Sequence, residues 1–196
     1  MANERLRYVL FFGGYKATRT DINAWSASAA AQRSDATFDG YPWPSGASSD
    51  AASAVSASKA AGSLAQAIAT IQECAHDEAY LVGHSSGCAI ANAVDRGLKG
   101  TSKVTLVALD GFTPDPAQLA RASTQVWAAA CGRAVSRNHN GLKNAVGGRL
   151  KVYKATNCFD SWALHFSVVN SAANDKVVTS IATGYAQCRA NLMWMP

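Results

Sequence analysis

Five residues near the middle of the chain, Gly83-His84-Ser85-Ser86-Gly87, have the types and spacing for nucleophilic chemistry. A serine hydroxyl is a poor nucleophile until it has a neighbouring base and a fixed, exposed position. A sharp strand-to-helix turn supplies that position, and glycines flank the serine because the turn leaves no room for side chains. Before the motif, Glu78-Ala-Tyr-Leu-Val82 reads as a short buried strand. After it, Cys88-Ala-Ile-Ala-Asn-Ala-Val-Asp95 reads as a helix that begins near Ser86. Ser85 is thus the candidate nucleophile. The first N–H groups of the helix favour developing negative charge, so the backbone N–H of Ser86 is one expected oxyanion donor. The second is expected from the loop after the first strand, Phe12-Gly13-Gly14-Tyr15, at Gly14 or Tyr15.

A general base must come from four histidines. His84 is next to Ser85 inside the turn, and its side chain should point away from the nucleophile. His76 precedes the strand and belongs to the wrong end of a sheet. His139 lies in a polar loop. His165, in Trp162-Ala-Leu-His-Phe166, follows a late strand and is the favoured base. The acid must orient the imidazole and stabilise its charged form. Asp110 ends the strand that follows the nucleophile's helix; Asp160 follows the next strand but shares one short loop with His165. Asp110 is favoured and Asp160 is the alternative. Asp115 and Asp175 read as turn and cap residues. Trp43, Phe112 and Trp162 follow strand ends, where they are expected to line an acyl pocket.

These residues need a scaffold, and strand and helix signals alternate along the chain. Arg5–Phe12, Asp35–Asp39, Glu78–Val82, Lys103–Leu109 and Leu150–Ala155 read as strands. Helices are expected over Asp21–Ala31, over Asp50–Ala75 with a break near Gly62, over Cys88–Asp95, from Pro116 to about Val135, and after Asp175 with Val177, Val178, Ile181, Tyr185 and Leu192 on one face. Such alternation implies a mostly parallel sheet with helices on both faces, a three-layer α/β domain. One domain spanning 1–196 is expected, with a short cap or insertion around 112–148. Ligands of such sheets bind beyond the carboxyl ends of the strands, and the candidate residues follow strand ends.

Charge narrows the classes. The net charge is +5, but the Lys and Arg residues are scattered, so no nucleic-acid footprint is read. The apolar run Tyr8–Phe12 is far too short for a bilayer span or a signal-peptide core, so a cytoplasmic protein with no membrane partner is expected. Five dispersed cysteines, without a CxxC pair, read as free thiols, with a Cys131–Cys158 or Cys158–Cys188 bridge as the lesser alternative. The histidines and cysteines show no metal-ligand spacing, and no cofactor is expected. Gly13-Gly14-Tyr15-Lys16 lacks the full spacing of a phosphate loop.

Tyr80-Leu-Val-Gly-His-Ser-Ser-Gly-Cys-Ala-Ile-Ala91, with Val104-Thr-Leu-Val-Ala-Leu-Asp-Gly-Phe-Thr-Pro114, resembles the thioesterase branch of the α/β-hydrolases. In that branch a GHSxG elbow is followed one strand later by an acid at a strand end, which implies Asp110. The branch's base often stands before Phe and small or apolar residues, and His165-Phe-Ser-Val-Val169 is similar. The chain departs at Gly87-Cys88, where many members carry two glycines, and it is small for the family. The resemblance implies a small α/β-hydrolase-like fold and a serine hydrolase acting on an ester or thioester, a small-molecule substrate. A second class stays open: a hydrolase-like binding or regulatory protein without catalysis.

Overall fold

The computed structural model describes residues 6–32, 36–74, 76–98, 103–109 and 111, and the backbone of three further strands at 125–130, 150–155 and 192–195. The described strands are Arg7–Phe12 (β1), Thr37–Tyr41 (β2), Glu78–His84 (β3), Lys103–Leu109 (β4), Gln125–Ala130 (β5), Leu150–Ala155 (β6) and Leu192–Met195 (β7). They form one sheet in the order β2-β1-β3-β4-β5-β6-β7. Every pairing from β2 to β6 is parallel, and β7 closes the edge antiparallel to β6.

The described helices are Arg19–Gln32 (α1), Ala51–Ala60 (α2), Ser63–Glu73 (α3) and Gly87–Gly97 (α4). α1 starts two residues before its expected boundary because Thr18 and Asp21 cap it reciprocally. The Thr18 N–H and hydroxyl donate to the Asp21 carboxylate at 2.8 and 2.6 Å, and the Asp21 N–H donates to the Thr18 hydroxyl at 3.2 Å. The break between α2 and α3 falls at Gly62, whose φ of 68° lies in the left-handed region that glycine adopts without penalty.

Alternation along the strands explains the layers. Tyr8, Leu10 and Phe12 of β1, Leu81 of β3 and Leu106 and Ala108 of β4 share one core cluster with Val55, Leu64, Ala67, Ile71, Ile90 and Val94 of α2, α3 and α4. Their alternates Val9, Phe11, Val82, Val107 and Leu109 are equally buried but lie outside that cluster. On their side α1 packs, with Ile22 buried and Trp25 edge-on to His84. Every residue of β3 is buried, as expected of a strand covered on both faces. The architecture is the expected three-layer α/β sandwich.

At the amino ends of the central strands, buried Glu78 accepts from Tyr80 Oη at 2.8 Å and from Lys103 Nζ at 3.2 Å, with Arg7 Nε at 3.6 Å. This charge cluster lies at the edge of the sheet opposite Ser85.

Two expectations are corrected. Residues 125–130, read as part of a helix, are β5, within the stretch expected as an insertion. Local alanine content favours helix, but β4 and β6 offer ladder partners on both sides, and such pairing overrides a preference worth tenths of a kcal/mol, about the spread among ordinary residues. Leu192, placed on a final helix, instead begins β7 and pairs with Ala155. The other residues of that expected helix lie outside the described residues. Cys74 and Cys88 are free thiols; Cys131, Cys158 and Cys188 lie outside the described residues. Among the described residues no helix is long and apolar enough to cross a membrane.

Candidate active site

The chain turns sharply between β3 and α4. Ser85 sits at the tip with φ of 51°, and Lys16 is the other non-glycine residue with positive φ among the described residues. A serine held in the left-handed region is strained, and the cost is tolerated only where surrounding structure enforces it. The enforcement is visible. The Ser85 N–H donates to the Leu109 carbonyl at 3.0 Å, and the Ser85 carbonyl accepts from the Cys88 N–H at 3.1 Å. The Cys88 thiol donates to the Gly83 carbonyl at 2.9 Å, stapling the end of the strand to the start of the helix. A methyl group on Gly83 would meet the Cys88 backbone, and one on Gly87 would run into the carbonyl oxygens of Phe12 and Gly13. From Glu78 to Asn92 every residue is buried except Ser85. The turn therefore presents one hydroxyl and hides its neighbours.

The loop after β1 reaches the same point. A methyl group on Gly14 would lie 3.0 Å from Ser85 Cβ and 3.2 Å from His84 Nδ1. The Ala17 N–H donates to the Gly14 carbonyl at 3.0 Å, closing a tight turn through Tyr15 and Lys16 with positive φ at Lys16. Sheet order makes this meeting place special. From β1 the chain moves outward to β2, then crosses back to β3 on the other side of β1. The crevice between the carboxyl ends of β1 and β3 is the topological switch point, where ligands of open parallel sheets bind. Gly14 and Ser85 stand on its two sides.

No family model matches the sequence, and no curated protein matches it. Solved structures do. A presumed cell surface hydrolase from Lactobacillus plantarum aligns with a TM-score of 0.60 at 12% identity, over 90% of this chain and 92% of that one. A presumed hydrolase of the alpha/beta superfamily from Xanthomonas campestris aligns at 0.53 and 17% identity, over 89% and 99%. Esterase PE8 aligns at 0.51 and 17% identity, over 85% and 90%. The fold is that of the α/β-hydrolases. At such identities the likeness carries architecture, not substrate.

On this α/β-hydrolase sheet the expected site residues fall as follows. Ser85, Ser86 and Gly14 come together at the switch point, and Tyr15 is the next residue of the same loop. Ser86 is fully buried, at the position just before α4. Tyr15 is half-buried, and its hydroxyl donates to the Ser48 carbonyl at 2.8 Å. Trp43 is 4% exposed, and its indole N–H donates to the Gly13 carbonyl at 2.7 Å. His84 is buried against Trp25, with ring centroids 5.8 Å apart and planes at 79°. His76 lies just before β3, at the amino end, its Nδ1 2.7 Å from the Cys74 carbonyl oxygen. Asp110, Asp160, His165, His139, Phe112 and Trp162 lie outside the described residues. Both chain neighbours of Asp110 touch the elbow: Leu109 through its bond from Ser85, and Gly111 against Cys88, where an added methyl group would be 3.0 Å from Sγ. Sequence reasoning missed the grip of the segment after β2 on the Gly13–Ala17 loop. Its one local signal is a tryptophan fixed between two prolines, Pro42-Trp43-Pro44.

Proposed function

We propose that the protein is a serine hydrolase that cleaves an ester or thioester through an acyl-enzyme. One observation carries this reading: Ser85 alone is accessible in a buried strand-turn-helix, held at positive φ at the switch point of the sheet. A structural serine has no need of that conformation.

In the proposed cycle the Ser85 hydroxyl attacks the acyl carbonyl carbon while His165 takes its proton. The carbonyl π electrons move to oxygen, and the oxyanion is held by the N–H groups of Ser86 and of Gly14 or Tyr15. Collapse expels the alcohol or thiol, which receives the proton from His165. Water, deprotonated by His165, then attacks the acyl-enzyme, and its collapse returns the proton to Ser85 Oγ and releases the acid. Asp110 orients the imidazole, with Asp160 the alternative; the contacts of Leu109 and Gly111 with the elbow support a place for Asp110 beside it. Phe112 and Trp162 line the acyl pocket in this reading; Trp43, expected beside them, is packed in the core with its indole N–H on the Gly13 carbonyl and is left out of it. No step calls for a metal or an organic cofactor.

A fluorophosphonate probe tests the reading. Wild-type protein is expected to label covalently and Ser85→Ala to remain unlabelled while folded. A folded wild-type chain that resists the probe refutes the enzyme; persistent labelling of Ser85→Ala refutes the nucleophile. Nitrophenyl esters of short and long chain, with acyl-CoA thioesters beside them, then sort the substrate class.

A further inference from the structure

We infer that Trp43 is a positioning residue for the oxyanion hole, acting through the peptide plane that joins Gly13 to Gly14. The inference rests on the serine-hydrolase reading above and deepens it.

A trans peptide unit is planar, and its C=O and N–H point in opposite directions. The carbonyl of Gly13 and the N–H of Gly14 belong to one such unit. Buried Trp43 Nε1 donates to that carbonyl at 2.7 Å. Gly13 and Gly14 carry no side chains to hold their plane, and glycine rotates more freely than any other residue. Fixing the carbonyl therefore fixes the direction of the Gly14 N–H, which leaves the opposite edge of the unit and points away from the indole. Gly14 is also the residue packed against Ser85 Cβ. A donor for an oxyanion is effective when it is aimed before charge develops and need not reorganise. A hydrogen bond on the carbonyl also polarises the N–H of the same unit and strengthens it as a donor.

The rest of the segment after β2 supports the same role. Ser45 Oγ donates to the Ala17 carbonyl at 3.2 Å, and Tyr15 Oη donates to the Ser48 carbonyl at 2.8 Å. With Trp43 these bonds grip the Gly13–Ala17 loop at its beginning, middle and end. Pro42 and Pro44 restrict the backbone on either side of the indole. The Ser45 N–H donates to the Trp43 carbonyl at 2.6 Å and tightens the turn further. β2 and β1 are adjacent and parallel, with Tyr41 paired to Phe12, so both loops leave the same edge of the sheet. A buried indole N–H takes an acceptor somewhere; here that acceptor lies in the loop that faces the nucleophile.

The test compares wild type with Trp43→Phe, which keeps a buried aromatic ring and loses the N–H. Phosphonylation of Ser85 by a fluorophosphonate builds negative charge on the phosphoryl oxygen, so its saturating rate and half-saturating concentration report the hole without a known substrate. The saturating rate is expected to fall roughly ten- to a hundredfold, less than the roughly 10²–10³-fold lost when an oxyanion donor is removed outright. The half-saturating concentration should stay within about twofold, because binding before reaction does not use the developing charge. Equal saturating rates in folded Trp43→Phe and wild type overturn the inference and leave the enzyme reading intact. A loss explained wholly by a smaller folded fraction overturns it too. Should Trp43→Phe fail to fold, benzothienylalanine placed at position 43 keeps the shape of the indole and replaces its N–H by sulfur; a wild-type rate in that variant overturns the inference. A wild-type chain that does not label defeats the serine-hydrolase reading itself.

Discussion

Replacing Gly83 by alanine should damage the fold and the site together, and the size of the effect follows from the packing of α4 on β3. The added methyl carbon would lie 2.5 Å from Cys88 Cα, 2.6 Å from Cys88 N and 2.8 Å from Gly87 C. Non-bonded carbons rest at about 3.5–4.0 Å, so the strand and helix must separate by roughly 1 Å. All three obstacles are backbone, and no side chain can swing aside. Overpacking costs about 1–3 kcal/mol, and three backbone obstacles at once put Gly83→Ala at the upper end; alanine returns about 0.4–1 kcal/mol by stiffening the unfolded chain, so a net loss of about 2 kcal/mol is expected. For a chain of this size that lowers Tm by roughly 4–8 °C. Separation also re-aims the Ser86 N–H relative to the Ser85 hydroxyl, and a misplacement near 1 Å can cost about a hundredfold in rate. Thermal unfolding followed by circular dichroism and the rate of fluorophosphonate labelling read the two effects. Gly46→Ala is the control, since a methyl group there meets nothing within 4 Å and φ is ordinary; it should leave the labelling rate unchanged and raise Tm by roughly 1–4 °C, the unfolded-chain effect alone. Gly83→Ala that melts with wild type and labels at the wild-type rate would refute the close approach on which the elbow depends.

The acid assignment is tested by comparing Asp110→Asn with Asp160→Asn on a nitrophenyl ester. A large fall in kcat, up to about 10⁴-fold, is expected for the first and a small one for the second, and near-wild-type turnover in Asp110→Asn would transfer the role. Alkaline stability gives a prediction independent of catalysis. Burial, then the hydrogen bond from its hydroxyl to Glu78, pushes the Tyr80 phenol well above its ordinary 10.0. Below that value the phenol is protonated in both states and its share of stability is complete. Above it the unfolded chain ionises while the folded one does not, so stability falls as pH rises toward the folded value. Tyr8 is raised for the same first reason, with Asp39 adding to it. In urea unfolding at about pH 8 and about pH 11, Tyr80→Phe should lose less stability than wild type between the two; an equal loss would show that Tyr80 does not take part.

The elbow was legible because three local signals agree on it: apolar β-formers before it, glycines within it, and a helical pattern behind Gly87. The break at Gly62 was legible for a similar reason, since one residue type with an unusual conformational range decides it. The helix expected over β5 failed where local and tertiary preferences oppose each other. The alanines of 128–130 favour helix by themselves, and only the neighbouring strands, distant in sequence, make them a ladder. Trp43 shows another limit. Its partner Gly13 is thirty residues away, and the contact exists because β2 lies beside β1, which no periodicity around Pro42-Trp43-Pro44 reveals. The burial that separates Ser85 from Ser86 is likewise a property of the assembled layers, although the motif alone pointed to the first serine as the candidate nucleophile.

The positive φ of Ser85 also restricts which side chains this turn can carry in the place of the proposed nucleophile. Threonine has the same hydroxyl chemistry as serine, yet its branched Cβ makes the left-handed region a severe outlier. Cysteine has a single heavy atom at the γ position, as serine does, and meets no added penalty of that kind. The route from a hydroxyl to a thiol is therefore open to this turn, while the shorter chemical step to a secondary alcohol is closed by the backbone.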